Sequence, residues 1–188
     1  MIAKLVKAAR PLFAERGPAG VPLREIAEAA DVNYGLIHHY VGTKNDLLAI
    51  VLRQASEDWA TQFAEAATVH DAISILMRPK SSEYARIIAH ALLEGADPAS
   101  MVGRSPALST LSRRMESEID GSPNSETESR VLVAAMTGMA MGWGLFGPFV
   151  RELAGLHEQA EDETTDAVYA LLRSVVDAPP PVPGTSAD

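Results

Sequence analysis

Two adjacent histidines, His38 and His39, lie in the stretch DVNYGLIHHYVGTK, and an imidazole can bind a metal ion or transfer a proton. Neighbouring side chains on a helix point about 100° apart, so this pair cannot hold one metal as an i, i+4 pair does. The other histidines are scattered along the chain, at His70, His90 and His157, and there is no cysteine. We therefore expect no metal site, no cofactor and no catalytic role for the pair.

Motifs of common enzyme classes are also missing from the sequence. It has no G-x-S-x-G elbow, no P-loop, no H-E-x-x-H and no G-x-G-x-x-G that follows a predicted strand. A di-iron helical bundle would need two E-x-x-H motifs, and none is present. We therefore expect a protein that is not an enzyme.

Charge is distributed unevenly along the chain. Residues 1–53 contain seven Lys or Arg and five Asp or Glu, whereas residues 54–188 contain nine and twenty, for a net charge of −9. An acidic protein is a poor non-specific binder of nucleic acid, so any DNA contact is expected in the N-terminal quarter. The opening residues have apolar positions interrupted by charges, which argues against a signal peptide and for a cytoplasmic protein.

The segment from Val131 to Val150 has twenty residues without a charge, enough to span a bilayer. However, its four glycines and Pro148 predict a poor continuous helix in its second half. A buried helix at a subunit interface has the same composition, because small residues let helices approach closely. We therefore expect a buried helix and no membrane contact.

Apolar residues recur at helical spacing almost throughout, and no segment alternates with period two, so the predicted fold is all-α. The first helix is expected to end at Gly17, with Pro11 as an interruption or a late start. A second covers Pro22 to Ala30 and a third Tyr34 to Tyr40. Further helices are predicted after Thr43 and near 69–77, 82–95, 105–119, 126–146 and 163–176, separated by breaks such as GADPAS.

Three short helices within about 40 residues, with the turn DVN between the last two, predict a helix-turn-helix. Asn33 is a favoured N-cap, and Val32 and Ile37 are spaced as a hydrophobic staple. On a helical wheel Leu36 and His39 point away from the core, with Tyr34, His38 and Tyr40 beside them. Such a face can enter the major groove of DNA, and Lys44, which begins the next helix, can bind a phosphate.

The pieces LFAERG, REIAEAADV, GLIHHY and GTKNDLL resemble the DNA-binding domain of the TetR (tetracycline-repressor) family over about residues 2–52. The resemblance implies an all-α homodimer whose C-terminal helices form a ligand pocket and a dimerising four-helix bundle. It also implies that an effector changes the spacing of two DNA-binding heads. We accordingly predict a DNA-binding domain at 1–46, a ligand-binding and dimerisation domain at 47–177, and a disordered Pro-rich tail at 178–188.

The resemblance also implies roles for individual residues. Lys44 matches the family's phosphate-binding lysine, and Tyr40 matches a residue that touches the DNA backbone or base edges. Gly35 matches a glycine where the helix backbone approaches DNA. Together with the helix-wheel positions and caps, these matches define the predicted DNA-binding set: Arg24, Asn33, Tyr34, Gly35, Leu36, His38, His39, Tyr40, Thr43 and Lys44.

Some positions depart from the family pattern. Val41 replaces the usual phenylalanine, and Leu36 replaces a small or hydroxyl residue, so an apolar contact to a thymine methyl group is expected. The recognition helix has no Arg or Lys, which disfavours bidentate guanine readout. Affinity is therefore expected to depend mainly on phosphate contacts and DNA shape.

The C-terminal part is rich in methionine and aromatic residues, which suit an adaptable ligand pocket but also an ordinary core or a dimer interface. The predicted pocket residues are Met77, Tyr84, His90, Met101, Met115, Met136, Met139, Trp143 and Phe146. His90 and Glu94 share a helix face and either orient a polar group of a ligand or form an exposed ion pair. Gly138, Gly142 and Phe149 are predicted at the dimer interface.

These features together predict a one-component transcriptional regulator. The resemblance to the TetR family implies a repressor that binds a pseudo-palindromic double-stranded DNA operator as a homodimer and is released by a small, largely apolar effector. The alternative is a helical small-molecule-binding protein whose N-terminal domain has lost DNA binding. Salt dependence of DNA affinity separates the two.

Overall fold

A computed structural model of the chain describes residues 1–77, 79–118 and 126–177. These ranges contain ten helices and no β-strand, which confirms the all-α prediction. The predicted tail at 178–188 lies outside the described residues. The helices are α1 (Ile2–Arg16), α2 (Leu23–Ala29), α3 (Tyr34–Tyr40), α4 (Lys44–Glu65), α5 (Val69–Leu76), α6 (Pro79–Leu93), α7 (Pro98–Val102), α8 (Pro106–Glu118), α9 (Glu126–Leu153) and α10 (Glu161–Asp177).

The chain divides into two compact units. The first contains Met1–Asp58 together with Ser82–Ser105, and the second contains Trp59–Ser81 together with the residues from Pro106 onward. Helix α4 runs through the predicted boundary between residues 46 and 47 and has buried side chains in the core of each unit. Most of α6 therefore belongs to the same compact unit as the three N-terminal helices.

The core of the first unit explains why the short helices form. Phe13, Ile26, Ile37 and Leu47 come from α1, α2, α3 and α4, and each side chain is fully buried. Helices α2 and α3 have seven residues each, too few to be stable alone, so this shared core must supply their stability. Ile87 and Ala91 of α6 are buried in the same core.

The turn between α2 and α3 is a Schellman motif. The Val32 N–H donates to the Ala27 carbonyl oxygen at 2.9 Å, and the Asp31 N–H donates to that of Glu28 at 3.1 Å. Asp31 adopts a left-handed backbone with φ of 52°, a conformation that aspartate tolerates better than most residues. The chain therefore reverses direction after Ala30 and begins α3 without a long loop.

The core of the second unit is formed by α5, α8, α9, α10 and the end of α4. Arg114 on α8 joins three of these parts: it donates to the carbonyl oxygens of Phe63 and Ala66 and to Glu118. Glu118 in turn accepts from the Val69 N–H at 2.9 Å, so the end of α4 and the start of α5 are bound together. The Arg114 guanidinium holds the pKa of the Glu118 carboxyl below its usual range.

Helix α9 is longer than the sequence predicts. The expectation that its second half would fail is wrong, because the helix continues past Pro148 to Leu153. Proline disfavours a helical backbone at the preceding residue partly through that residue's Cβ, and here that residue is Gly147. The break predicted at GADPAS is also partly wrong, since Pro98–Val102 forms a short helix capped by Asp97. A proline directly after an Asp cap favours a helix start.

Burial in this chain covers one face of α9 and leaves the other exposed. Leu132, Val133, Met136 and Ala140 pack in the second core, whereas Phe146 and Phe149 are about 60% exposed. Among the described helices α9 is also the one long and apolar enough to cross a membrane by length and composition. Within a single chain, therefore, only one face of α9 is buried as predicted, and the other face is exposed.

The Arg114 network gives a prediction for stability. Replacing Arg114 with alanine removes the donor from two carbonyl groups and from Glu118, and we expect the free energy of unfolding to fall by about 2 kcal/mol. Urea denaturation followed by circular dichroism would measure the change. Arg113→Ala on the same helix is the matched control, because Arg113 is exposed and should cost less than about 0.5 kcal/mol. Equal losses from the two variants would show that the network does not stabilise the unit.

Candidate nucleic-acid interface

Helix α3 is fixed from its inner side and its start, which leaves its outer side free. The Asn33 side chain accepts from the Gly35 N–H at 2.9 Å, which confirms the predicted N-cap. Ile37 is fully buried and anchors the helix. Tyr34 is 43% exposed, Leu36 45% and Tyr40 56%, which is unusual exposure for large side chains in so short a helix. We call these three residues, together with His38 and His39, the outer face of α3.

Rings on this outer face contact each other in two pairs. The Nε2 atom of His38 lies 3.2 Å from the Tyr34 hydroxyl, with the rings edge to face at 5.4 Å. The rings of His39 and Tyr40 are also edge to face, at 4.8 Å. These contacts restrict the rotamers of the four rings. Imidazole and phenol groups can donate to phosphates or base edges, and the exposed Leu36 can contact a thymine methyl group.

The start of α4 is closed by a capping box between Thr43 and Asp46. The Thr43 N–H donates to Asp46 Oδ2 at 2.7 Å, and the Asp46 N–H donates to Thr43 Oγ1 at 3.2 Å. The Thr43 hydroxyl also donates to Asp46 Oδ2 at 2.6 Å. These bonds from the Thr43 hydroxyl and N–H hold the pKa of the Asp46 carboxyl below its usual range. The Thr43 hydroxyl proton is therefore already engaged within the chain.

Lys44 has contacts that the sequence did not indicate. Its Nζ atom donates to the carbonyl oxygen of Ala19 at 3.1 Å and to that of Val21 at 3.3 Å. Both carbonyls belong to the loop between α1 and α2, 25 and 23 residues away in sequence. An ammonium group has three protons, so one remains for an external anion. Lys44 is thus held in place by contacts within the chain itself.

Arg24 lies on the exposed side of α2. Its side chain is 79% exposed and pairs with Glu28 one turn away, with 3.1 Å between Nε and Oε1. Exposed i, i+4 pairs of this kind contribute little to stability. Arg24 can therefore exchange this partner for a phosphate at small cost.

The predicted pocket residues are divided between the two units. Tyr84, His90 and Met101 belong to the first unit, where burial raises the pKa of the Tyr84 hydroxyl. The remaining six belong to the second unit: Met77, Met115, Met136, Met139, Trp143 and Phe146.

Burial differs among the six pocket candidates of the second unit. Met115 and Met136 are core residues, whereas Met139 and Phe146 are exposed. Met77 packs against the same core from its edge, and Trp143 donates from Nε1 to the Thr165 hydroxyl at 3.2 Å. Ligand contact by any of the six remains a prediction.

His90 lines a cleft of about 520 Å³ in the first unit. The walls come from α1 and α6, and four of the six lining residues have ionisable side chains: Glu15, Glu83, Arg86 and His90, beside Pro11 and Ala14. Arg10 pairs with Glu83 in the same region, with 3.1 Å between Nε and Oε1. This cleft differs in chemistry from the apolar pocket expected from the sequence. Within the ranges described, no group of three His, Asp or Glu side chains is placed to hold a metal ion.

The N-terminal helices match a family of known proteins, and most of the chain matches a named relative. The family model described as "Bacterial regulatory proteins, tetR family" matches residues 5–51, the segment that holds most of α1, all of α2 and α3, and the start of α4. The chain is 32% identical over 174 residues to the HTH-type transcriptional repressor Rv3405c of Mycobacterium tuberculosis. The aligned segment covers 90% of this chain and 88% of that protein. The similarity thus extends well beyond the helix-turn-helix.

Solved structures share the same fold over nearly the whole chain. A transcriptional regulator from Rhodococcus sp. Rha1 superposes with a TM-score of 0.67 at 23% identity and covers 95% of this chain and 99% of that one. GusR of Salmonella enterica superposes with a TM-score of 0.64 at 19% identity, covering 93% and 92%. At these identities the likeness concerns the fold alone.

The capping box at α4 gives a prediction for pH dependence. In Thr43→Val the hydroxyl donor is lost, so the pKa of Asp46 should rise towards its ordinary value of 3.8. Because the pKa of Asp46 is lower in the folded than in the unfolded protein, the capping box stabilises the fold fully at pH values above 3.8. This stabilisation is lost as the pH falls through the folded-state pKa of Asp46. Carbon-13 NMR titration of the Asp46 carboxyl would measure the shift.

A second capping box provides the control for this titration. Thr68 and Asp71 form the same arrangement at the start of α5. Thr68→Val removes the equivalent hydroxyl and should leave the Asp46 titration unchanged. An Asp46 pKa that is the same in Thr43→Val as in the unaltered protein would refute the assignment.

Proposed function

The chain belongs to the TetR family of bacterial transcriptional regulators, and on this premise we propose that it is a repressor that binds a pseudo-palindromic operator as a homodimer. The family resemblance predicted from the N-terminal motifs is confirmed. Release by a small, largely apolar effector completes the proposal, and the action is regulatory and not enzymatic. The Mycobacterium tuberculosis relative bears the name repressor, which supports this sign of regulation. A cytoplasmic location follows from access to DNA.

The outer face of α3 is the observation that carries the DNA-binding part of the proposal. A seven-residue helix with one buried anchor presents five aromatic, imidazole and leucine side chains outwards. A soluble protein gains no stability from such exposure, so the face is best explained by a binding partner. The width of the major groove matches one helix, and the groups on this face suit base edges and phosphates.

Groups on the neighbouring helices would add phosphate contacts to the groove contact. Arg24 on α2 is highly exposed, and Lys44 at the start of α4 has a free ammonium proton after its two bonds to the α1–α2 loop. Because α3 contains no Lys or Arg, these flanking cations would supply much of the electrostatic affinity. Sequence preference would then come from the outer face of α3 and from DNA shape.

The exposed face of α9 supports the homodimer. We call eight residues on this face the α9 stripe, all of them exposed except the half-buried Gly142: Val131, Gly138, Met139, Gly142, Phe146, Phe149, Val150 and Leu153. A Cβ added at Gly138 or Gly142 would meet nothing within 4 Å in this chain, so both positions have room for a second helix. The stripe lies along α9, a helix of 28 residues and about 42 Å, which is long enough for a stable isologous interface.

A second protein chain suits the α9 stripe better than a bilayer does. The opposite face of α9 packs in the protein core through Leu132, Val133 and Met136, so lipid could not surround the helix. Exposed charged residues lie at both ends, including Glu126 and Glu152. A second copy of the chain would cover the apolar side chains and leave these ends in water.

Selection of bound fragments from random duplex DNA by the purified protein tests the DNA-binding part. We expect an inverted repeat to be enriched. With the selected DNA, Lys44→Gln should weaken binding to all sequences about equally and reduce the slope of log affinity against log salt by about one for each bound protomer. Arg113→Gln, which removes an exposed charge of α8, should leave that slope unchanged. No enrichment at low salt by folded, dimeric protein would favour the small-molecule-binding alternative.

Replacing Phe149 with aspartate tests the dimer. The new carboxylate would have to be buried without a partner between two α9 helices, so the dissociation constant of the dimer should rise at least 100-fold. Sedimentation velocity over a concentration series would detect the shift to monomer. Leu93→Asp is the control, because Leu93 is 87% exposed on α6 and lies outside the stripe. A dimer that is as stable in Phe149→Asp as in Leu93→Asp would exclude the stripe as the interface.

A further inference from the structure

The loop between α1 and α2 is held by two side chains, one just after the end of α6 and one at the start of α4. Oε2 of Glu94 accepts from the Ala19 N–H at 2.8 Å. The Lys44 ammonium donates to the Ala19 carbonyl oxygen at 3.1 Å and to that of Val21 at 3.3 Å. An acid and a base therefore bind the two backbone polar groups of one residue, Ala19. All four residues belong to the first unit.

The position of Glu94 is fixed by the way α6 ends. Glu94 directly follows the last helical residue, and a Schellman motif closes the helix around it. The Ala96 N–H donates to the Ala91 carbonyl oxygen at 2.9 Å, and the Gly95 N–H donates to that of Leu92 at 3.1 Å. Gly95 has φ of 80°, which glycine adopts without strain. Since Ala91 is fully buried, the backbone of Glu94 is tied to the core.

A glycine at the start of the α1–α2 loop allows the loop to lie close to this end of α6. Gly17 ends α1 with φ of 73°, and a Cβ at this position would collide with Oε1 of Glu94. The same Cβ would lie 3.0 Å from Nδ1 of His90, closer than a normal contact. Glycine at position 17 therefore permits both the backbone conformation and the close approach. The contact between Glu94 and the loop thus depends on Gly17 at the end of α1 and on Gly95 at the end of α6.

We propose that Glu94 is a positioning residue for DNA binding. By holding Ala19, it sets the two loop carbonyls that bind Lys44, and these carbonyls direct the remaining ammonium proton towards a DNA phosphate. A lysine held in this way has less rotamer entropy to lose when it binds, so its phosphate contact is strengthened. This inference rests on the proposed function, because it requires Lys44 to contact DNA.

The sign of the effect separates positioning from simple electrostatics. Glu94 carries a negative charge, so if it acted only through its charge, its removal would reduce repulsion of DNA and strengthen binding. If it positions the loop, its removal weakens binding. Glu94→Gln separates the two roles further, because glutamine keeps an oxygen that can accept from the Ala19 N–H but has no charge.

The experiment compares the unaltered full-length protein with Glu94→Ala and Glu94→Gln on the DNA fragment that the unaltered protein selects. Glu94→Ala should weaken binding at least fivefold, about the effect of freeing one rotamer-rich side chain, and should lower the salt slope. Glu94→Gln should bind within about twofold of the unaltered protein, since the loop contact is kept. Glu15→Ala, which removes an exposed acid of α1 in the same unit, is the control and should not weaken binding.

Amide hydrogen exchange at Ala19, followed by NMR without DNA, checks the contact itself. Exchange should be faster in Glu94→Ala and unchanged in Glu94→Gln, while circular dichroism shows both variants folded. Equal or tighter DNA binding by Glu94→Ala would overturn the positioning role alone, provided that the unaltered protein binds and Lys44→Gln weakens binding. If the unaltered protein bound no DNA, both the positioning role and the proposed function would fall.

Discussion

The burial of Ile37 is the interaction on which the candidate interface depends. A helix of seven residues cannot persist in water alone, and α3 has one fully buried side chain with which to join a core. Ile37 packs in the core that contains Phe13, Ile26 and Leu47. The exposed rings of α3 keep a defined orientation because this inner contact and the Asn33 cap fix the helix. Any function of the outer face therefore depends on packing behind it.

The distribution of charge limits where DNA can bind. The excess of acidic over basic residues lies beyond residue 53, whereas the first 53 residues have a small positive balance. A nucleic acid would be repelled by most of the chain and attracted only near the N-terminal helices. Within that region the cations are few, and Lys44 is restrained by two carbonyl bonds. Under the proposed function, a few well-placed charges would therefore take the place of a broad basic surface.

Features that depend on neighbouring residues could be predicted from the sequence, and features that depend on distant contacts could not. The Asn33 cap and the Thr43–Asp46 capping box follow from residues two or three apart, so the local pattern contains the information. Lys44 and Glu94 meet Ala19 across 25 and 75 positions, and no local pattern indicates such contacts. The predicted end of α9 is wrong for a related reason. Helix propensity alone treats Pro148 as a helix breaker, but the glycine before it, Gly147, reduces the steric clash that a proline causes.

The exposed α9 stripe has a consequence for how a cell would use this protein. If two copies must pair before they bind an operator, occupancy at low abundance rises with the square of the monomer concentration. A small change in synthesis or degradation would then cause a larger change in the bound fraction. The apolar surface that one chain leaves uncovered would thus make the regulator sensitive to its own copy number, even when no effector is present.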